Sequence, residues 1–125
     1  MANPNIVGIT TVFGKTVAIA LADTNQTTVL SNAASSEKVF KINSIIVANV
    51  DGSSAADITI SYHSEDDAGG TEYKIASTVS VAADSTLVVV DKASSIYLEE
   101  DKSISATASA GGDLHVICSY EDIQD

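Results

Sequence analysis

The 125-residue chain carries 17 acidic and six basic side chains, a net charge of −11 at neutral pH, and is 45% hydrophobic but only 5% aromatic, with no tryptophan. That charge repels nucleic-acid phosphates and anionic membrane surfaces and leaves no basic patch to release their counterions. One cysteine, Cys118, excludes an internal disulfide, and the length suits a single domain with a real core built from Ala, Val, Ile, Ser and Thr.

The N-terminus, MANPNIVGITT, lacks the basic start and apolar core of a signal peptide. Residues 1–5 contain the only proline, Pro4, and read as an extended arm ahead of one domain over residues 6–125. Ile6 to Phe13 is predicted as a strand, Gly14-Lys15 as a tight turn, and Lys15 to Ala22 as a second strand with Val17, Ile19 and Leu21 on one face and alanines on the other. Asp23 to Gln26 is turn chemistry, Thr27 to Ser31 a short edge strand, and Asn32 to Glu37 a polar loop.

Val39 to Val50, VFKINSIIVANV, is the longest and most β-branched stretch and is predicted as the central strand. Alternation puts Phe40, Ile42, Ile46, Ala48 and Val50 on its buried face. Ala56 to His63 alternates with Ile58, Ile60 and Tyr62 inward and His63 outward, and Ser64 to Thr71 is an acidic, glycine-rich tip expected to be solvated. Glu72 to Val81 follows as a strand. Thr86 to Val90 has the unbroken apolar look of a strand covered on both sides, and Ile96 to Leu98 is very short. Lys102 to Ser109 points Ile104, Ala106 and Ala108 inward. The glycines of Ala110 to Asp113 turn the chain into Leu114 to Tyr120, with Val116 and Cys118 inward.

Eight to ten short strands with turn signals every 8–12 residues, and no helical period, predict an all-β, single-domain antiparallel β-sandwich of jelly-roll type. The expected core is Phe40, Ile42, Ile46, Ile58, Ile60, Val88, Ile104, Val116 and Cys118.

Catalytic signatures are missing. His63 and His115 fall at outward positions of different strands without a third group, and no serine sits in GxSxG or SxxK. Cys118 lies on an apolar face in an acidic neighbourhood, the setting of an inert thiol. The acidic turns at Asp51, Glu65 to Asp67 and Glu99 to Asp101 lack the spacing of a calcium loop, and Asn25-Gln26-Thr27 matches a glycosylation sequon by chance. No enzyme, cofactor or metal is expected. The positive signal is flat faces of small residues, Ala18, Ala20 and Ala22 and then Ser103, Ser105 and Thr107, which read either as solvent-exposed strand backs or as interfaces that lose little side-chain entropy on docking.

The opening MANPNIVGITTVFGKT, the middle VFKINSIIVANVDGSSAADITI and the stretch from IASTVSVAADSTLVVVDK through IYLEEDKSISATA to SYEDI resemble small virion structural proteins of tailed bacteriophages, marine and cyanobacterial phages among them. The resemblance is one of phrasing along nearly the whole chain and carries no active-site residues. It implies a capsid decoration or cement protein that is made in the host cytoplasm and resides in the virion. There it would bind the major capsid protein or another virion protein as a homo-oligomer, with a trimer favoured. Its contacts would be the arm residues Asn3, Pro4, Asn5, Ile6, Val7 and Ile9, and one polar sheet face. The alternative is a neck, tail or fibre module that binds host-surface carbohydrate through the loops Asp51–Ala55, Ser64–Thr71 and Asp91–Ser95, although the scarcity of aromatics weighs against it.

Overall fold

A computed structural model describes residues 3–124. Nine strands run in chain order: β1 Thr11–Ala20, β2 Thr27–Asn32, β3 Lys38–Asn49, β4 Ala56–Glu65, β5 Gly69–Val81, β6 Thr86–Val90, β7 Ile96–Leu98, β8 Lys102–Ala108 and β9 Leu114–Gln124. One sheet has the order β1-β9-β3-β6 with β7 added beside β3, and the other has the order β2-β8-β4-β5; every pairing is antiparallel. The chain crosses between layers at most connections, stays in the second sheet from β4 to β5 and in the first from β6 to β7, and the last strand returns beside the first. This is the double Greek-key winding of a jelly roll.

The core lies between the layers. Ile42, Ile45, Val47, Leu98, Leu114, Val116 and Cys118 come from the first sheet, and Ile58, Ile60, Ile104 and Ala106 from the second; all are fully buried. These residues alternate along their strands because a strand sends successive side chains to opposite faces. Phe40 closes one end of the core against Tyr120, ring centroids 5.2 Å apart.

Two expected core residues lie elsewhere. Ile46 is only half-buried and Val88 is 56% exposed, each on the outer face of the first sheet. For Val88 the cause is a register shift that pairs Val90 with Ile45 and Val88 with Ile46 and leaves Val89 extra; for Ile46 it is a bulge in β3. Ile42 pairs with Tyr120 and Ser44 with Ser119, which leaves Asn43 as an extra residue. One extra residue reverses every later side chain, so the inward set is Phe40, Ile42, Ile45, Val47 and Asn49. Asn49 is buried because its amide donates to the carbonyls of Ser54 and Val81, both at 2.9 Å, and its oxygen accepts from the Asp51 N–H. It ties the β3–β4 connection to the end of β5.

The first strand also differs from expectation. β1 runs unbroken through Gly14 and Lys15, paired residue for residue with β9 from Thr11 to Ala20. Ile6 to Thr10 forms no strand; Ile6 and Val7 lie in a turn. Glycine permits a turn and does not impose one, and ten ladder pairs to β9 outweigh a bend.

Candidate interaction site at the N-terminal arm

The arm, Asn3 to Thr10, crosses the outer face of the first sheet at the β7 end. The Asn3 amide donates to Glu99 Oε2 at 2.6 Å, and its oxygen accepts from the Glu100 N–H at 3.4 Å. Asn5 closes a local turn: its side-chain oxygen accepts from the Val7 N–H at 3.0 Å and its carbonyl from the Gly8 N–H at 3.0 Å. An Asx turn of this kind needs only a short polar side chain two residues ahead of a free N–H.

Beneath the arm is a cleft of about 350 Å³ lined by Asn3, Pro4, Ile6, Val39, Tyr97 and Glu99. Its floor is apolar. Val39 faces outward from β3 yet is only 3% exposed, and its ladder neighbour Ile123 is 5% exposed. The arm only partly occupies this surface. Ile6 is 49% exposed, Val7 92%, Tyr97 45% and Val12 46%. Pro4 and Ile9 are half-buried, and Asn3 and Asn5 are exposed. Of the six arm residues expected from the sequence, Asn3, Pro4 and Ile6 line this cleft, together with Val39, Tyr97 and Glu99, which periodicity did not single out.

A buried charge sits at the root of the site. Asp122 is 1% exposed, on the inner face between Phe13 and Phe40 in the ladder. Lys15 Nζ donates to Asp122 Oδ2 at 2.8 Å, and Lys38 Nζ is 3.8 Å from the same oxygen. The hydrogen bond to Asp122 raises the Lys15 ammonium above its ordinary range. A carboxylate held this deep needs both cations, because an unpaired buried charge is costly. Lys15 also lies 5.8 Å from the centroid of the Phe13 ring, which is itself half exposed.

The other sequence candidates do not converge. His63 and His115 belong to different sheets. His115 is exposed, but His63, expected outward and solvated, is 2% exposed. The reason is the β4–β5 tip, which folds back over the second sheet. Ala68 donates to Ser103 Oγ at 2.8 Å, Asp67 to Ser31 Oγ at 2.9 Å, and Ser103 Oγ to the Glu65 carbonyl at 2.8 Å. Ser61, Ser103 and Ser105 are buried in the same layer, and His63 Nε2 lies 2.7 Å from Ser105 Oγ. Cys118 is buried, and desolvation pushes its thiol up to about 12.

The Asp51 carboxylate is held below its usual range, first by the Ser53 N–H and then by the Ser53 hydroxyl and the Ser54 N–H. It organises its own turn. Among the described residues no three acids, histidines or cysteines gather as a metal site, and no helix is long and apolar enough to cross a membrane. The loops Asp51–Ala55 and Ser64–Thr71 flank the ten-residue β4 at its two ends, so they do not form one binding rim.

No protein-family model and no curated protein sequence matches this chain. The fold is similar to that of a solved chain from Bacillus endospore appendages, a family of disulfide-linked pili, with a TM-score of 0.55 and 17% identity over 99% of this chain and 94% of that one. A weaker likeness, TM-score 0.33 and 10% identity, covers 90% of this chain and 24% of a Clostridium thermocellum xylanase, Xyn10B CBM22-1–GH10, complexed with xylohexaose.

Proposed function

We propose that this chain is a non-enzymatic structural protein that works by joining protein surfaces, and that its setting is the outside of a tailed-phage head, where it acts as a decoration protein. The observation that carries the first half is the clustering of exposed apolar side chains. Ile6 and Tyr97 line the cleft under the arm, with Val7 in the arm and Val12 on the same outer sheet face as Val39, in a chain whose surface is otherwise strongly acidic. Apolar clusters rimmed by polar residues mark contact sites. The remaining charge keeps free copies soluble until they dock, and many copies on one particle turn modest contacts into firm attachment. The second half rests on the sequence resemblance.

The test is co-sedimentation with purified phage heads. Full-length protein is expected to pellet with heads, and protein lacking residues 1–10 is expected to stay in the supernatant. Equal pelleting of both forms, or of neither, removes the arm from the account.

A second reading is a filament subunit, favoured by a fold match that spans nearly the whole of both chains. Such a filament would hold without disulfides, because Cys118 is the only cysteine and is buried. Filaments in negative stain that survive reductant would favour this reading over decoration.

A further inference from the structure

We propose that two copies of this chain pair antiparallel through the outer edge of β1, joining their first sheets into one continuous sheet across a two-fold axis. This goes beyond attachment through the arm: it is a seam between copies, and it stands or falls on β1 alone.

The argument begins from how the four sheet edges are protected. Natural edges are blunted by shortness, bulges or charge. β6 has five residues and a register shift; β2 has six and a shift between Thr28 and Leu30. β5 is long, but it has three register shifts and a left-handed Thr78, φ 46°, within it. β1 is neither short nor bulged, and its one charge is neutralised within the fold. It is ten residues long, contains no proline, and keeps unbroken register with β9 from end to end. Among the described residues, no strand, loop or side chain bonds the backbone groups of its outer edge. Its only charged side chain, Lys15, is already engaged by Asp122.

Three features point to a second copy as the occupant. The first is closure: antiparallel pairing of β1 with itself consumes both free edges at once and stops at two copies, whereas head-to-tail pairing would leave an edge open. The second is charge. Copies of net charge −11 repel, and β1 is a long stretch with no carboxylate, so pairing there brings no acids face to face. The third is length. Ten residues extend about 33 Å, so two such edges can share a ladder of that length. The seam is therefore a modest interface, in which the backbone ladder of two ten-residue edges supplies the main contact.

The test is sedimentation equilibrium of the full-length protein, with circular dichroism as the fold control. Wild type is expected to be dimeric, and to associate more tightly as salt screens the acidic bodies. Thr16→Lys with Ala18→Lys places like charges across the seam on the exposed outer face of β1. It is expected to weaken the dimer roughly tenfold or more with an unchanged spectrum. Mixing it with Thr16→Glu, Ala18→Glu protein is expected to restore dimers. The proposal is overturned by monomers at all concentrations, by trimers or open filaments, by a dimer indifferent to the lysine pair, or by no rescue on mixing. Head binding by the arm is read separately by co-sedimentation, so the two failures are distinguishable.

Discussion

Replacing Ile45 and Ile46 in turn by alanine tests the bulge that sets the phase of the central strand. Ile45 is fully buried and packs between Cys118 and Val90 in the ladder, while its neighbour Ile46 lies half-buried on the outer face beside Ile117 and Val88. Removing three buried carbons from Ile45 forfeits about 2.4 kcal/mol of transfer free energy at about 0.8 kcal/mol per carbon. The cavity left in a sealed core brings the loss to about 3–4 kcal/mol. At Ile46 about half the transfer loss applies and solvent fills the gap, so about 1 kcal/mol is expected. The difference, about 2–3 kcal/mol, corresponds to roughly 10 °C in melting temperature for a domain of this size. Urea unfolding with unchanged slope is the assay, since a midpoint shift at constant slope reports stability alone. Equal losses, or a larger loss at Ile46, would mean that β3 runs without its extra residue and that the inner and outer faces are exchanged.

Asn49→Ala is expected to cost about 1–3 kcal/mol for each buried carbonyl it orphans, Val81 foremost, whereas the exposed Asn25→Ala should shift the melting temperature little. Cys118 should resist thiol reagents in the folded protein and react on unfolding. Its thiol, held neutral to about 12, titrates near 9.0 once exposed, so the folded chain loses stability as pH rises from about 9 toward about 12. Cys118→Val should flatten that part of the stability–pH curve, and an unchanged slope would show that the thiol is not the group responsible. Deleting residues 1–10 uncovers Val39 and breaks the bonds of Asn3 to Glu99 and Glu100, so a loss of about 1–2 kcal/mol is expected with the sandwich intact. A collapse of the fold in calorimetry would make the arm a structural staple.

The strands were legible wherever alternation ran unbroken. β4 and β8 show it: Ile58, Ile60, Ile104 and Ala106 are inward and fully buried. β3 was misread in its second half because a two-residue period was carried across Asn43-Ser44. The signal was present, since Ile42 and Ile45 are three apart and two consecutive polar residues interrupt the pattern. The turn expected at Gly14 rested on permissiveness alone. Burial of His63 and Ser103 could not be read locally. It depends on backbone N–H groups of the β4–β5 tip reaching hydroxyls 35 and 36 residues away in sequence. At the candidate site, the arm was visible through Pro4 and its lack of pattern, but its floor was not. Val39 and Tyr97 come together only because β7 joins the edge of β3, a pairing that three residues of sequence do not announce.

Immunogold labelling of intact particles with antibody to this chain tests its proposed place on a phage head most directly. Gold distributed over tailed-phage heads is the expected result. Gold confined to tails or to free filaments, or absent from particles altogether, would contradict it.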